Sequence, residues 1–273
     1  MLPALARSHR VLTPDLPGYG LSGRPDASYA LPWHAHVLGT WLEALDLEDV
    51  DLVGHSFGGG VAQFMLLEFR PRVRRVGLVA SGGLGQEIAL ELRLAALPYV
   101  VELLGQPFMA PATRLALWAA GAALDAEEVA WLRQVNATPG TARAFARTAR
   151  DVISWRGQRR HFLDRAREIG DLPPIALYWG DRDRVIPVAH GRATAAMLDD
   201  VALTTFPDCG HFPHQQCPER FVEALAAFLD AANVSPARLR GADGEGLAPV
   251  RRRVRARRAR RDALRHSPRV RPK

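Results

Sequence analysis

The chain has 273 residues but only two cysteines, one lysine (Lys273, the last residue) and no uninterrupted apolar stretch approaching ~18 residues. Each shortage excludes something. Cys209 and Cys217 are too few for a disulfide framework, a usage that fits a reducing compartment. The most apolar stretches, 94–104 and 115–124, are interrupted by Pro98 and Glu102 or are too short to span a bilayer. No charged-then-apolar leader opens the sequence. These features predict a cytoplasmic protein with no membrane partner.

With lysine absent until the terminus, arginine carries nearly all the positive charge, and its distribution is uneven. Residues 235–273 hold 14 basic and 3 acidic side chains, a net of +11 against +7 for the whole chain, so the preceding 234 residues carry −4. Periodicity disappears over the same segment, which predicts a basic disordered tail. Residues 251–261 could meet nucleic acid or anionic lipid by charge alone. No aromatics interleave for base stacking, so a solvated tail is the preferred reading.

The body alternates short β-rich runs with amphipathic helices, the signature of an α/β fold with a mostly parallel sheet and flanking helices. Strands are expected at 10–13, 50–53, 75–80, 174–179 and 201–206. Helices are expected at 31–47, 59–69, 188–198 and 218–232. Residues 82–170 lack strand signals and carry Ala, Leu and Arg at helical spacing, broken at Pro98, Pro107, Pro111 and Pro139-Gly140. The expected organisation is a core in two parts, 1–81 and 171–234, a helical lid insertion at 82–170, and the tail at 235–273.

Gly54-His55-Ser56-Phe57-Gly58 matches G-x-S-x-G directly after a strand and before a helix, the context of a nucleophile elbow. Such a turn projects Ser56 Oγ from the sheet edge and aims the Phe57 N–H at a developing oxyanion. A serine hydroxyl needs a base oriented by a third group. After the strand at 174–179, Gly180-Asp181-Arg182-Asp183 supplies two carboxylates, and spacing does not choose between them. After the strand at 201–206, Gly210-His211-Phe212 supplies an imidazole, with His214 close by. Cys209, His211, His214 and Cys217 could on paper hold zinc, but their spacing is not that of a zinc finger or knuckle, and no metal is assigned.

Four segments, PDLPGYGLSGRP, GHSFGGG, WGDRDRVIP and GHFPHQQCPERF, together resemble the α/β-hydrolase superfamily over residues 10–232. The resemblance implies Ser56 as nucleophile, Asp183 as the acid and His211 as the base, with Phe57 N–H in the oxyanion hole. His55 and Phe212 are the implied substrate-binding neighbours, and no cofactor is required. Serine at the elbow argues against the aspartate-nucleophile members. Ser81-Gly82-Gly83-Leu84-Gly85 followed by a helical lid is similar to the meta-cleavage-product C–C hydrolases. Those enzymes usually carry Asn where His55 stands and Trp where Phe212 stands, and their lid arginine has only Arg133 nearby.

The superfamily also has a strand ending in His-Gly ahead of the region where this chain begins, and its loop supplies a second oxyanion N–H. The resemblance therefore implies an N-terminally truncated fold, arising from a translation start placed too late or from a degenerate fragment. The expected function is a serine hydrolase that cleaves an ester or related acyl bond of a small hydrophobic substrate. C–C bond hydrolysis and a non-catalytic homologue are the alternatives.

Overall fold

The computed structural model describes residues 1–95, 100–166, 168, 169 and 171–240. A four-stranded parallel sheet is built from Val50–His55 (β1), Val73–Val79 (β2), Ile175–Gly180 (β3) and Ala202–Phe206 (β4), side by side in that order. Both faces of β3 are covered. Ile175, Leu177 and Trp179 join a cluster with Ala62 and Leu66 on one side. Ala176 and Tyr178 join Phe221 and Leu225 on the other. A strand buried on both faces requires an unbroken apolar run rather than alternation, which is what 175–179 supplies.

Helices Leu31–Ala44 (α1) and Phe57–Glu68 (α2) pack together through Leu31, Ala35, Leu42, Val61 and Met65. Between β2 and β3 lie the short helices Leu90–Ala95 and Val100–Leu104, then Gln106–Ala119 (α3), Ala126–Asn136 (α4) and Thr141–Val152 (α5), and a short helix Phe162–Ala166. Ala189–Met197 (α6) follows β3, and Pro218–Asp230 (α7) follows β4. Helix α7 buries Phe221, Leu225 and Leu229 against the sheet, each worth roughly 2 kcal/mol.

Several expectations are corrected. Residues 11–16 are irregular rather than a strand. Among the described residues no strand offers them a ladder, and Leu5 and Val11 pack instead on the cluster beneath α7. The region 82–170 holds one two-residue antiparallel pair, Ile153–Ser154 with Gly157–Gln158. Pro111 sits inside α3 rather than ending it. The carbonyl its ring deprives of a donor belongs to exposed Pro107, where water can compensate. Pro98 lies outside the described residues.

Order also continues past Ser235. Arg238–Leu239 pairs antiparallel with Leu198–Asp199, and Ala237 is buried with its N–H on the Pro173 carbonyl at 3.2 Å. The remainder of the expected disordered tail, 241–273, lies outside the described residues. Cys209 and Cys217 are joined in a single disulfide. No helix among the described residues is long and apolar enough to cross a membrane.

Candidate active site

Ser56 sits between β1 and α2 with φ 52° and ψ −115°, a backbone region that costs a non-glycine residue of order 1–3 kcal/mol and persists only where neighbours enforce it. The enforcement is local. The Ser56 N–H donates to the Val79 carbonyl, and the Ser56 carbonyl accepts from Gly59 and Gly82. A Cβ on Gly54 would meet the Gly58 carbonyl oxygen at 2.4 Å, so the strand can turn this tightly into the helix only with glycine there. Phe57 is the first helical residue, so its N–H has no partner within the helix and points out of the N-terminus beside Ser56.

Asp183 and His211 come from the loops after β3 and β4. The close approach of those loops requires Gly180, where a Cβ would lie 2.1 Å from the Gly210 carbonyl oxygen. His211 Nε2 lies 2.9 Å from Ser56 Oγ, and His211 Nδ1 lies 2.9 Å from Asp183 Oδ2. Asp183 Oδ1 accepts from the N–H groups of Val185 (2.8 Å) and Ile186 (2.9 Å). The carboxylate is thereby satisfied on both oxygens and fixed in orientation. With a carboxylate on Nδ1, the imidazole places its hydrogen there and leaves Nε2 free to accept from the serine hydroxyl. Of the two carboxylates that spacing left open, Asp181 is exposed and Asp183 is buried. Three of the four candidate zinc donors are engaged elsewhere: the cysteines in their disulfide and His211 in this line.

Ser56 and Phe57 open on a cavity of about 270 Å³. Its walls are mainly apolar, with Leu31, Ile88, Leu92, Phe145, Val152, Ile153 and Ile186 contributing, and α5 forms one side. Besides Ser56, four polar residues line it: Tyr19, Thr148, Gln158 and Arg160. Burial pushes the Tyr19 phenol up to about 12, and a hydrogen bond with Thr148 partly opposes that shift. Gln158 is pinned, accepting from Gly83 N–H at 2.7 Å and donating to the Glu87 carbonyl at 3.1 Å. Arg160 is paired with Asp151, whose other oxygen accepts the Leu31 N–H at 2.9 Å. The cavity's arginine is therefore charge-compensated.

His55 and Phe212, expected at the substrate, do not line the cavity. They pack behind the histidine, with ring centroids 5.0 Å apart and His55 4.8 Å from His211. The reason is a hydrogen bond. His55 Nε2 donates to the His211 main-chain carbonyl at 2.7 Å, which draws the ring beneath the loop. Burial is the main cause that lowers His55 to about 3 and His214, edge-on to it at 4.6 Å, to about 4. Arg133 is exposed on α4 and away from the cavity. Sequence reasoning missed Tyr19, Thr148, Gln158 and Arg160. Tyr19 sits in the glycine-rich Gly18-Tyr19-Gly20 loop, whose pattern does not show that the ring forms a wall, and Arg160 closes an arginine-rich run with no spacing signal.

A parallel sheet that offers a serine from a strand-to-helix elbow, with a carboxylate and an imidazole on the next two strand-end loops, defines the α/β-hydrolase fold. Residues 1–224 match the alpha/beta hydrolase family, and the chain belongs to it. It is 34% identical over 247 residues to the 2-hydroxymuconate semialdehyde hydrolase of Pseudomonas sp. (strain CF600), covering 86% of this chain and 82% of that protein. The meta-cleavage product hydrolase of Pseudomonas fluorescens superposes with a TM-score of 0.66 at 26% identity, covering 85% of this chain and 84% of the other. A thermophilic esterase of Thermogutta terrifontis shares the fold with a TM-score of 0.63 at 22% identity, covering 83% and 82%.

Proposed function

We propose that the chain is a serine hydrolase that cleaves an ester or related acyl bond of a small hydrophobic substrate through an acyl-enzyme. The observation that carries this reading is the hydrogen-bonded line Ser56–His211–Asp183, opening on a largely apolar cavity at the small end of ligand sites. Ser56 Oγ attacks the carbonyl as its proton passes to His211 Nε2, and Asp183 holds the imidazolium through Nδ1–H. The Phe57 N–H stabilises the oxyanion. His211 then returns the proton to the leaving group. Water, deprotonated by the same nitrogen, attacks the acyl-enzyme and releases the acid and free Ser56.

Similarity to the muconate semialdehyde hydrolase, at 34% identity, favours a second reading, in which the bond cleaved is C–C in a vinylogous diketone. Two assays separate the readings: loss of a dienol chromophore, and release of p-nitrophenol from short acyl esters. Faster turnover of the ester supports the first reading, and faster turnover of the dienol the second. A fluorophosphonate probe tests both together. Labelling that disappears in Ser56→Ala is the expected result, and no labelling of the folded wild type would refute the serine mechanism.

A further inference from the structure

Helix α3 has one side tied down and its opposite side uncovered. The buried hydroxyl of Thr113 donates to the Met109 carbonyl at 2.8 Å and accepts from Asn136 Nδ2 of α4 at 2.9 Å. That fixes which side faces inward. Phe108, Pro111, Leu115 and Trp118 recur at i, i+3, i+7 and i+10, a stripe centred about half a turn from Thr113 at 100° per residue. It faces solvent: Phe108 is 66% exposed, Leu115 65% and Trp118 77%. Leu103 and Leu104, 75% and 67% exposed, precede the helix start, and Leu104 continues the row one turn before Phe108. The only charge on α3 is Arg114. A helix with one face packed ordinarily turns charged and polar side chains outward, and this one does the reverse.

The size of the stripe points to an occupant. These five large side chains present on the order of 600 Å² of apolar surface. That reaches the top of the ~300–600 Å² largest patch of a typical monomer and approaches the ~800 Å² that each partner buries in a standard interface. Spacing and flanks narrow the choice. A stripe at alternating three- and four-residue steps is the seam of a helix pair, and Ala112 and Ala119 beside it let a second helix approach to about 8–10 Å. A helix lying on lipid would instead carry basic side chains along its polar face, and α3 has one arginine.

We infer that this face is a self-association surface: α3 packs against α3 of a second copy of the chain across a two-fold axis, each presenting the same patch to the other. None of the five residues lines the cavity at Ser56, so association leaves that site open. The inference does not depend on the chemistry proposed above.

Sedimentation of the full chain at ~100 μM should give twice the 30.0 kDa chain mass. Leu115→Asp and Phe108→Asp should each weaken association about 100-fold while leaving circular dichroism and Ser56 labelling by the fluorophosphonate probe unchanged. Exposed Leu45, outside the inserted helices, gives the control: Leu45→Asp should leave the dimer intact. A wild-type monomer at that concentration overturns the inference, as does an assembly that survives both substitutions. A monomer that pellets with phosphatidylserine vesicles through Leu115 overturns it too, by assigning the stripe to a lipid surface.

Discussion

Replacing His34 with phenylalanine should stabilise the protein, and more so in acid. His34 is fully buried on α1, with Tyr19, Tyr29, Trp33 and Phe57 around its ring at centroid distances of 4.9 to 6.2 Å. Neither ring nitrogen has a hydrogen-bond partner among the described residues. Burial lowers its pKa from 6.5 to about 4, partly opposed by the charge of Asp151. The depressed value sets the sign. Between pH 6.5 and about 4 the unfolded chain holds more protons than the folded one, so stability falls as the pH falls. The contribution of this one side chain is complete near pH 7, roughly 2 kcal/mol smaller by pH 5, and about 3 kcal/mol smaller well below pH 4. Phenylalanine has nearly the same shape, no unpaired nitrogen and no titration. At pH 7 it should add ~1–3 kcal/mol by removing the unsatisfied polar atoms, and at pH 5 roughly 2 kcal/mol more. Urea unfolding of both proteins at pH 7 and pH 5 measures this directly. An unchanged pH dependence in His34→Phe would refute the assignment of a buried neutral imidazole.

Substitutions at three further positions probe the site. Asp183→Asn should lower kcat by about 10⁴-fold with little change in KM, because the wrong imidazole tautomer then faces Ser56; a loss below tenfold on an ester substrate would count against Asp183 as the orienting group. His55→Phe should lower kcat roughly tenfold and leave KM unchanged, because it removes the donor to the His211 carbonyl without touching the cavity. His55→Gln, which keeps a donor, should recover part of that loss, and a change confined to KM would place His55 at the substrate after all. Gly54→Ala should abolish fluorophosphonate labelling in protein that still shows helical dichroism, since the added Cβ would collide with the Gly58 carbonyl; normal labelling would mean that the elbow has slack.

Local pattern carried most of the sheet. Residues 174–179 and 201–206 read as strands because an unbroken apolar run and an alternating run each demand a definite burial, and β3 and β4 fall within a residue of those limits. The segment at 10–13 has the same kind of pattern and forms no strand, because a ladder is a property of two segments and the sequence of one does not contain its partner. Arg238–Leu239 shows the converse: two residues in a basic, Gly- and Pro-rich context pair with Leu198–Asp199 because Ala237 and Leu239 find a place against the core. At the site, Ser56 was legible because the elbow needs its glycines in sequence. Asp183 was separable from Asp181 only by resemblance, since the choice turns on which carboxylate the loop buries. The place of His55 was illegible, because its hydrogen-bond partner lies 156 residues away.

The histidines around Ser56 divide by charge rather than by type. His55 and His214 are held neutral chiefly by burial, and the charge of His211 pushes both the same way. In the proposed mechanism their neutrality matters most at the step where His211 takes the serine proton and becomes positive. A second imidazolium at the 4.8 Å ring separation of His55 would oppose that step by about 3 kcal/mol at an effective dielectric near 20. A neutral ring costs nothing of the kind and still donates its hydrogen bond to the His211 carbonyl. Replacing His55 with a permanently charged arginine should therefore impair turnover more than His55→Phe does, even though arginine can also donate. Equal losses in the two variants would show that the ring acts by packing alone.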